Sequence, residues 1–439
     1  MCRIRQAALH LLQVAHQSYL DIRLKSDVGS EKMIEAVMHP FVGSERLSAQ
    51  GQVLSDALEQ QAARFLAPDT RKSDKPLRRF LIREAATALR LNYNSFRHYL
   101  KTVPDLPAGT IESGNRRTFS LEEVHEIQSK LYTAGKIPVD LFPRRGPDDQ
   151  LSVISVFQLK GGVAKSTLAV NLAAFLAWRG YRVLAIDVDP QSSLSDVFDV
   201  KPDLDGSASL YDVMRTVDPI PITDAIQSTY YPNLDILPGS LSMTEFEYET
   251  AASFRKVKGQ GGAPWHKRFT QALDLVDSSY DVVIVDTPPH LSFSVLSAVH
   301  ASTGLLMPFS PGMLDIVSLQ KFLFLASDTL AAIEAHEPDK RYDFMRYVMT
   351  RYNPNDAAQL QIWTFMKAHF GSSLMDTPFL QSTAIADAGN TTETLIEVRP
   401  SEFNRKTYDR IFESLQSIVH DLEDDIMRAW GRIDNEEAA

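Results

Sequence analysis

The stretch Lys160-Gly161-Gly162-Val163-Ala164-Lys165-Ser166-Thr167 constrains this chain more than any other. It follows Ser152 to Gln158, which reads as a strand, and precedes Leu168 to Trp178, which reads as a helix. Glycines between a strand and a helix leave backbone N–H groups free to face a phosphate. The helix N-terminus adds the positive end of its dipole. Lys165 is spaced to reach the β- and γ-phosphates of a nucleotide, and the Ser166 hydroxyl to bind Mg²⁺. The common phosphate-loop pattern has glycine where this chain has Leu159 and Ala164. It also has no counterpart to Lys160, a second lysine at the mouth of the loop. The plain alternative is a Gly-Gly turn with Ser166 capping a solvated helix.

Downstream motifs weigh against that alternative. Arg182 to Ile186 reads as a buried parallel strand, short and apolar, and it runs into Asp187-Val188-Asp189-Pro190-Gln191. Tyr280 to Val285 is a second such strand and ends in Asp286-Thr287-Pro288-Pro289. Carboxylates just past the C-terminal ends of parallel strands lie on the ligand side of an α/β sheet. Asp286 is placed to hold a metal ion, directly or through water. Taken alone, it would also serve as a cap.

A chain of 439 residues, 44% hydrophobic and 23% charged, has the composition of a large globular protein of two or three folding units. The lone cysteine, Cys2, rules out an intramolecular disulfide and a Cys-rich zinc site, and it excludes a cluster-bearing reductase. It suits a cytoplasmic protein. No apolar run reaches transmembrane length, so no membrane association is expected. Arg3, Arg5, Gln6, His10 and Gln13 interrupt the N-terminal helical pattern, which predicts no secretory signal.

The formal net charge is −11, yet residues 71–119 carry eleven Lys/Arg against four acids. That local excess marks a nucleic-acid-binding patch inside an acidic chain. Leu81 to Leu89 reads as a short helix. Leu91 to Asn94 breaks it, and Ser95 to Lys101 reads as a second helix. The outline is a helix-turn-helix, whose second helix enters the major groove of DNA. Its candidate contacts are Asn94, Ser95, Arg97, His98 and Lys101. Gly109 to Phe119 reads as a basic hairpin, a wing whose Arg116 and Arg117 face phosphates. Ser120 and Glu123 then open another helix with a capping box.

Residues 1–70 read as an α-helical arm. Ala8, Leu11, Leu12, Val14 and Ala15 form one apolar face, and Val53, Leu54, Ala57, Leu58, Ala62 and Phe65 another. These faces suit a self-contained helical core or a dimerisation arm. The expected order is this arm, a winged helix-turn-helix over 71–137, a linker over 138–150, and a phosphate-loop domain over 151–400. That domain is α/β, doubly wound on a mostly parallel sheet. An amphipathic helix over 401–439 follows and lies on the sheet or on a partner. Pro68–Pro76 reads as a further linker.

The motif KGGxxK[ST] resembles the deviant phosphate loop of the ParA/MinD family. The blocks Phe157–Thr167, Arg182–Gln191, Leu237–Glu247, Tyr280–Pro289, Pro311–Val317, Arg341–Tyr352 and Ser382–Gly389 extend the resemblance. It covers nearly all the chain from about Lys75 on. Within the family the chain is most similar to the long ParA proteins with a winged helix-turn-helix, the RepA partition proteins of repABC plasmids.

The resemblance implies ATP, ADP and Mg²⁺ as ligands, a nucleotide-sandwich homodimer, and DNA binding without sequence preference in the ATP state. It also implies weak ATP hydrolysis stimulated by a centromere-binding partner of the RepB/ParB type, and a role in plasmid segregation. The protein would be cytoplasmic and nucleoid-associated, and the winged domain would repress its own operon. Gly161, Gly162, Val163 and Ala164 would line the phosphates, with Lys165 as the phosphate lysine, Ser166 on Mg²⁺ and Thr167 on the α-phosphate. Asp189 would orient the attacking water, and Asp187 and Asp286 would serve the metal. Lys160 would cross to the partner's phosphates, so Lys160, Lys165 and Asp189 are the implied catalytic set. A repressor for which ATP is only a regulatory ligand, with no segregation role, is the alternative. A metabolic phosphate-loop kinase leaves the basic wing unexplained.

Overall fold

The computed structural model describes residues 48, 50–54, 77–112, 114, 116–253, 264–334, 340–390, 392–400 and 404–433. The chain divides into two compact units, Met1–Arg71 and Lys72–Ala439. In the first, the described residues 48 and 50–54 are helical, and Val53 and Leu54 are exposed. The rest of the two apolar faces, and Pro68–Pro76, lie outside the described residues.

The second unit opens with strand β1 (Phe80–Leu81) and helices α1 (Ile82–Ala88) and α2 (Tyr93–Thr102). Ala85, Ala86 and Ala88 turn the small face of α1 inward, and Phe96 anchors α2 against Phe119. Helix α2 starts two residues before the expected Ser95, because the Asn92 side chain accepts from Ser95 N at 2.8 Å and caps it. The wing is β2 (Thr110–Glu112) paired with β3 (Arg116–Phe119), and β3 also pairs with β1, all antiparallel. Helix α3 (Leu121–Thr133) carries the expected capping box. Glu123 N donates to Ser120 Oγ at 3.2 Å, and Ser120 N donates to Glu123 Oε2 at 2.7 Å.

Strand β4 (Ser152–Val156) leads through the glycine loop into α4 (Lys165–Arg179). Further strands are β5 (Val183–Asp187), β6 (Gln227–Ser228), β7 (Leu234–Leu237), β8 (Val282–Asp286), β9 (Gly304–Phe309) and β10 (Phe344–Met349). They form one sheet in the order β10-β9-β4-β8-β5-β7-β6, parallel except for the β6–β7 pair. Strand residues alternate between two cores, as a pleat with period two requires. Ile154, Val156, Val183, Ala185, Val282 and Ile284 face a core shared with α4. Val153, Leu184, Ile186, Val283 and Val285 face a second core, built with Met243, Phe246, Phe269 and Leu273. Both faces of the sheet are covered, so the domain is doubly wound.

Helix α4 is buried nearly all round. The C-terminal helix α8 (Arg405–Ala429) turns Ile411, Leu415, Ile418, Leu422 and Ile426 into the same core. (Helices α5 to α7, between them, are Phe293–Ala301, Met313–Glu334 and Ala357–Phe370.) Helix α8 therefore lies on α4, in the helix layer of its own chain. Trp178 is the joint, with ring centroids 6.2 Å from Phe80, 5.7 Å from Phe175 and 5.7 Å from Phe412. The winged segment thus shares its core with the sheet domain. Residues 138–150 are strapped down as well. Arg145 N donates to Asp281 Oδ1 at 3.1 Å, and Trp430 Nε1 donates to the Gln150 carbonyl at 2.9 Å.

Trp178→Ala removes a fully buried ring that packs on β1 and α8 as well as on its own helix. It is expected to cost ~3–5 kcal/mol, read as a lower denaturation midpoint in urea. An unchanged midpoint would mean that the winged segment and α8 are held elsewhere.

Candidate functional site

The glycine loop sits where a parallel strand ends and a buried helix begins. Gly162 takes φ 75° and Ala164 φ 61°, both left-handed. For Ala164 that conformation costs about 1–2 kcal/mol, which glycine at this position would avoid. A Cβ on Gly161 would come no nearer than 3.9 Å to Pro289, and one on Gly162 no nearer than 3.9 Å to Arg351, so the loop faces open space. Thr350 Oγ1 donates to the Val163 carbonyl at 3.0 Å and ties the loop to the end of β10. Thr167 begins the body of α4, and its carbonyl accepts from Asn171 Nδ2 at 2.8 Å.

Lys165 is buried, and its ammonium donates to the Lys160 carbonyl at 3.1 Å. Burial pulls its pKa below the ordinary lysine value, and the carboxylates of Asp286 and Asp189 oppose that. Lys160 points the other way. Its ammonium pairs with Asp315, near the start of α6.

Asp187 and Asp286 end adjacent strands and stand directly opposite each other in the β5–β8 register. Both are completely buried. Asp187 accepts from Ser195 N at 2.9 Å, Ser195 Oγ at 2.8 Å and Asp189 N at 3.1 Å. Burial pushes its pKa up to about 7 despite these bonds. Neither carboxylate oxygen of Asp286 has a hydrogen-bond partner of normal geometry. Burial and then the neighbouring Asp187 push its pKa well above the usual range, while Ser166 and Lys165 offset part of this. Asp189 reaches past the strand end, and its Oδ1 accepts from Gln191 N at 3.0 Å.

An unsatisfied buried carboxylate beside a serine hydroxyl and a loop of free amides fits a hard divalent cation. Mg²⁺ keeps most of its shell as water and phosphate and needs one or two protein oxygens. The residues that would hold it are Ser166 and Asp286, with Asp187 behind them. Among the described residues no cluster of three or more His, Cys, Asp or Glu could hold a metal ion by itself.

Of the residues singled out from sequence, Lys165, Ser166, Asp187, Asp189 and Asp286 converge at the C-terminal edge of the sheet. Asn94, Ser95, Arg97, His98 and Lys101 lie on α2, with only Ser95 half-buried, and Arg116 and Arg117 are exposed on β3. Sequence reading gave no role to Ser195, Gly239, Asp315 or Thr350. A Cβ on Gly239 would meet the Asp189 carbonyl oxygen at 2.8 Å, so only glycine lets β7 end this close to the carboxylates. Gly239, Asp315 and Thr350 lie inside the blocks that carry the family resemblance, but a block does not reveal a side chain's partner. The basic patch also shrinks. Arg78 pairs with Glu84, Arg79 with Glu123, and Arg90 with Glu423 and Asp424, which removes three of its cations from any ligand.

Because the folded chain raises the pKa of Asp286, its protonated form contributes stability fully in acid. That contribution falls away as pH rises above the ordinary carboxylate range. Asp286→Asn keeps the shape and removes the titration. Without metal or nucleotide, its melting temperature relative to the unmutated chain is expected to climb from about pH 5 to about pH 8. A constant offset across that range would show that Asp286 is not held against ionisation.

Comparison with known proteins follows the same lines. A family model described as an AAA domain matches residues 151–331. A protein of Rhizobium rhizogenes named "Putative replication protein A" is 37% identical over 382 residues, covering 86% of this chain and 94% of its own length. A protein of the same name from Sinorhizobium fredii is 34% identical over 400 residues, covering 90% and 97%. Among solved structures, apo McdA of Cyanothece aligns with a TM-score of 0.49 at 19% identity, covering 62% of this chain and 99% of that one. The two replication proteins match over nearly their whole length and take in the winged segment as well as the sheet domain. The chain belongs to the ParA/MinD family of partition ATPases, close to the RepA proteins of repABC plasmids.

Proposed function

We propose that this chain binds ATP and Mg²⁺ at the glycine loop, dimerises around the nucleotide, and hydrolyses ATP slowly under stimulation by a RepB/ParB-type centromere-binding partner. In this reading it segregates plasmids from the cytoplasm and nucleoid. It binds DNA without sequence preference in its ATP state and represses its own operon through the winged segment. The observation that carries the reading is the pair of lysines on one loop with different partners. Lys165 faces Asp286 and Asp189 in the buried site, whereas Lys160 is held outside it by Asp315.

Each residue has work that follows from its place. Lys165 supplies fixed positive charge at the end of α4, where the helix dipole and free amides already favour an anion. Ser166 and Asp286 hold the metal, which when bound neutralises phosphate charge. Asp189, beyond the strand end and near the loop, orients water. Lys160 sits at the rim on a flexible stem, placed to serve a second copy. Next to Asp315, helix α6 exposes Met313, Leu314 and Val317, an apolar face suited to burial in such a dimer. Supply of a cation in trans makes turnover wait for dimerisation, as phosphoryl transfer depends on positioning and charge.

The DNA reading is supported by the exposed basic residues of α2 and the wing. Other cations are committed elsewhere. Arg346 of β10 is fixed to Asp425 by a bond of 2.6 Å, for example. Among the described residues no helix is long and apolar enough to cross a membrane.

Lys165→Ala is expected to abolish nucleotide binding in a titration with a fluorescent ATP analogue. Lys160→Gln is expected to keep binding but lose ATP-dependent dimerisation and hydrolysis. Unchanged turnover by Lys160→Gln would remove the trans-lysine mechanism. For DNA, Arg116→Ala with Arg117→Ala is expected to flatten the salt dependence of duplex binding by up to about two units of slope. ATPase activity without DNA should stay as it was. An unaltered slope would place the wing away from the phosphates.

A further inference from the structure

The two helices of the winged segment share an arrangement that neither helix shows alone. Tyr93 is the first residue of α2 and is half-buried. The guanidinium of Arg97, one turn along, lies 5.5 Å from its ring centroid. The guanidinium of Arg83, from α1, lies 5.2 Å from the same centroid. Both arginines are exposed. Among the described residues neither is in an ion pair or a side-chain hydrogen bond, in contrast to Arg78, Arg79 and Arg90 of the same segment.

Two like charges drawn to one ring repel each other unless an anion joins them. The ring attracts each cation through its face and leaves the N–H edges free. A guanidinium held this way has already lost part of its rotamer freedom, so less is lost when its donors bind. Helix-turn-helix geometry divides the work between them. The first helix crosses the backbone, and the N-terminal part of the second enters the major groove. Arg83 is on the first helix and Arg97 is on the second. Asn92 caps α2 at the residue before Tyr93, which fixes where the ring stands.

We propose that Tyr93 is a positioning residue for DNA recognition, holding Arg97 toward a base edge and Arg83 toward a backbone phosphate, and that Arg83 is thereby a further DNA contact. The inference rests on the reading that this segment binds operator DNA. Arg83→Ala should weaken binding alike on all sequences, and loss of the Tyr93 ring should erode discrimination between sequences.

The test uses the full chain and two duplexes of equal length, one from the DNA upstream of its own reading frame and one of random sequence. Binding is followed by fluorescence anisotropy over a range of salt. Tyr93→Leu is expected to lower the preference for the upstream duplex by roughly three- to tenfold, and Tyr93→Phe to restore it. Arg83→Ala is expected to reduce the salt slope by about one on both duplexes, with Arg83→Lys recovering it. ATP turnover without DNA reports on the integrity of each variant. If Tyr93→Leu does not fold, the Arg83 pair decides, since its side chain is exposed. Wild-type preference in Tyr93→Leu, or a wild-type salt slope in Arg83→Ala, overturns the inference. With Arg97→Ala alongside, loss of preference there but not in Tyr93→Leu refutes the stack and leaves the operator reading standing. A wild-type chain that does not distinguish the duplexes removes both.

Discussion

Two fully buried carboxylates face each other across adjacent strands, and the site is organised around them. Asp187 and Asp286 are opposite partners in a parallel ladder and are fully buried. Like charges at that spacing in a medium of low polarity hold a proton or a cation. Asp187 is relieved by three hydrogen bonds from Ser195 and Asp189, whereas Asp286 has none of normal geometry and is only partly relieved by Ser166. The difference assigns their work. In the proposed reading Asp286, the less satisfied of the two, is the carboxylate that would hold the metal, with Asp187 supporting it from behind. Lys165 is drawn into the same enclosure, and its own lowered pKa records the cost of burial there.

The same helix that begins at Lys165 ends where the winged segment is attached. Arg179, at its last position, donates to the carbonyls of Thr87 and Ala88 at the end of α1. Gln128 of α3 donates to the Arg179 carbonyl at 2.8 Å. Gly180 follows at φ 107°, where a Cβ would collide with Gln128 Oε1 at 2.1 Å, so glycine is required twice over. With 15 residues, α4 spans about 22 Å. The glycine loop and the winged segment are thus opposite ends of one buried rod, not beads on a string. Residues 138–150, rich in proline and charge, are likewise pinned, by Asp281 and Trp430.

Sequence made some of this plain and hid the rest for physical reasons. The strands β4, β5 and β8 are short apolar runs closed by polar turns, and burial on both faces leaves no other pattern. The capping box at Ser120 is local chemistry, legible because donor and acceptor are three residues apart. Sequence places the start of α2 two residues late because Asn92 reads as a breaker or as a cap, and only its bond from Ser95 N decides. Long-range partners were out of reach. Asp315 is 155 residues from Lys160, and no periodicity relates the two. The amphipathic pattern of α8 shows one apolar face but not what covers it, and the cover is α4.

The count of positive charge illustrates the same limit. Eleven cations in residues 71–119 suggest a uniformly basic surface. Folding spends several of them on structure. Arg78 closes on Glu84 and the Ile396 carbonyl, Arg79 on Glu123, and Arg90 on the acids of α8. Arg83, Arg97, Lys101 and Arg117 are exposed on α1, α2 and the wing. A surface with fewer cations, each in a defined place, serves recognition better than a diffuse one. Diffuse charge binds any duplex through counterion release, but only a cation fixed against the groove can tell one sequence from another. The proposed division of labour in this chain follows from that difference. Binding without sequence preference asks only for charge, whereas repression of one operon asks for placed charge. Under the proposal that the winged segment binds operator DNA, the two arginines gathered around Tyr93 are the placed charge that the second task asks for.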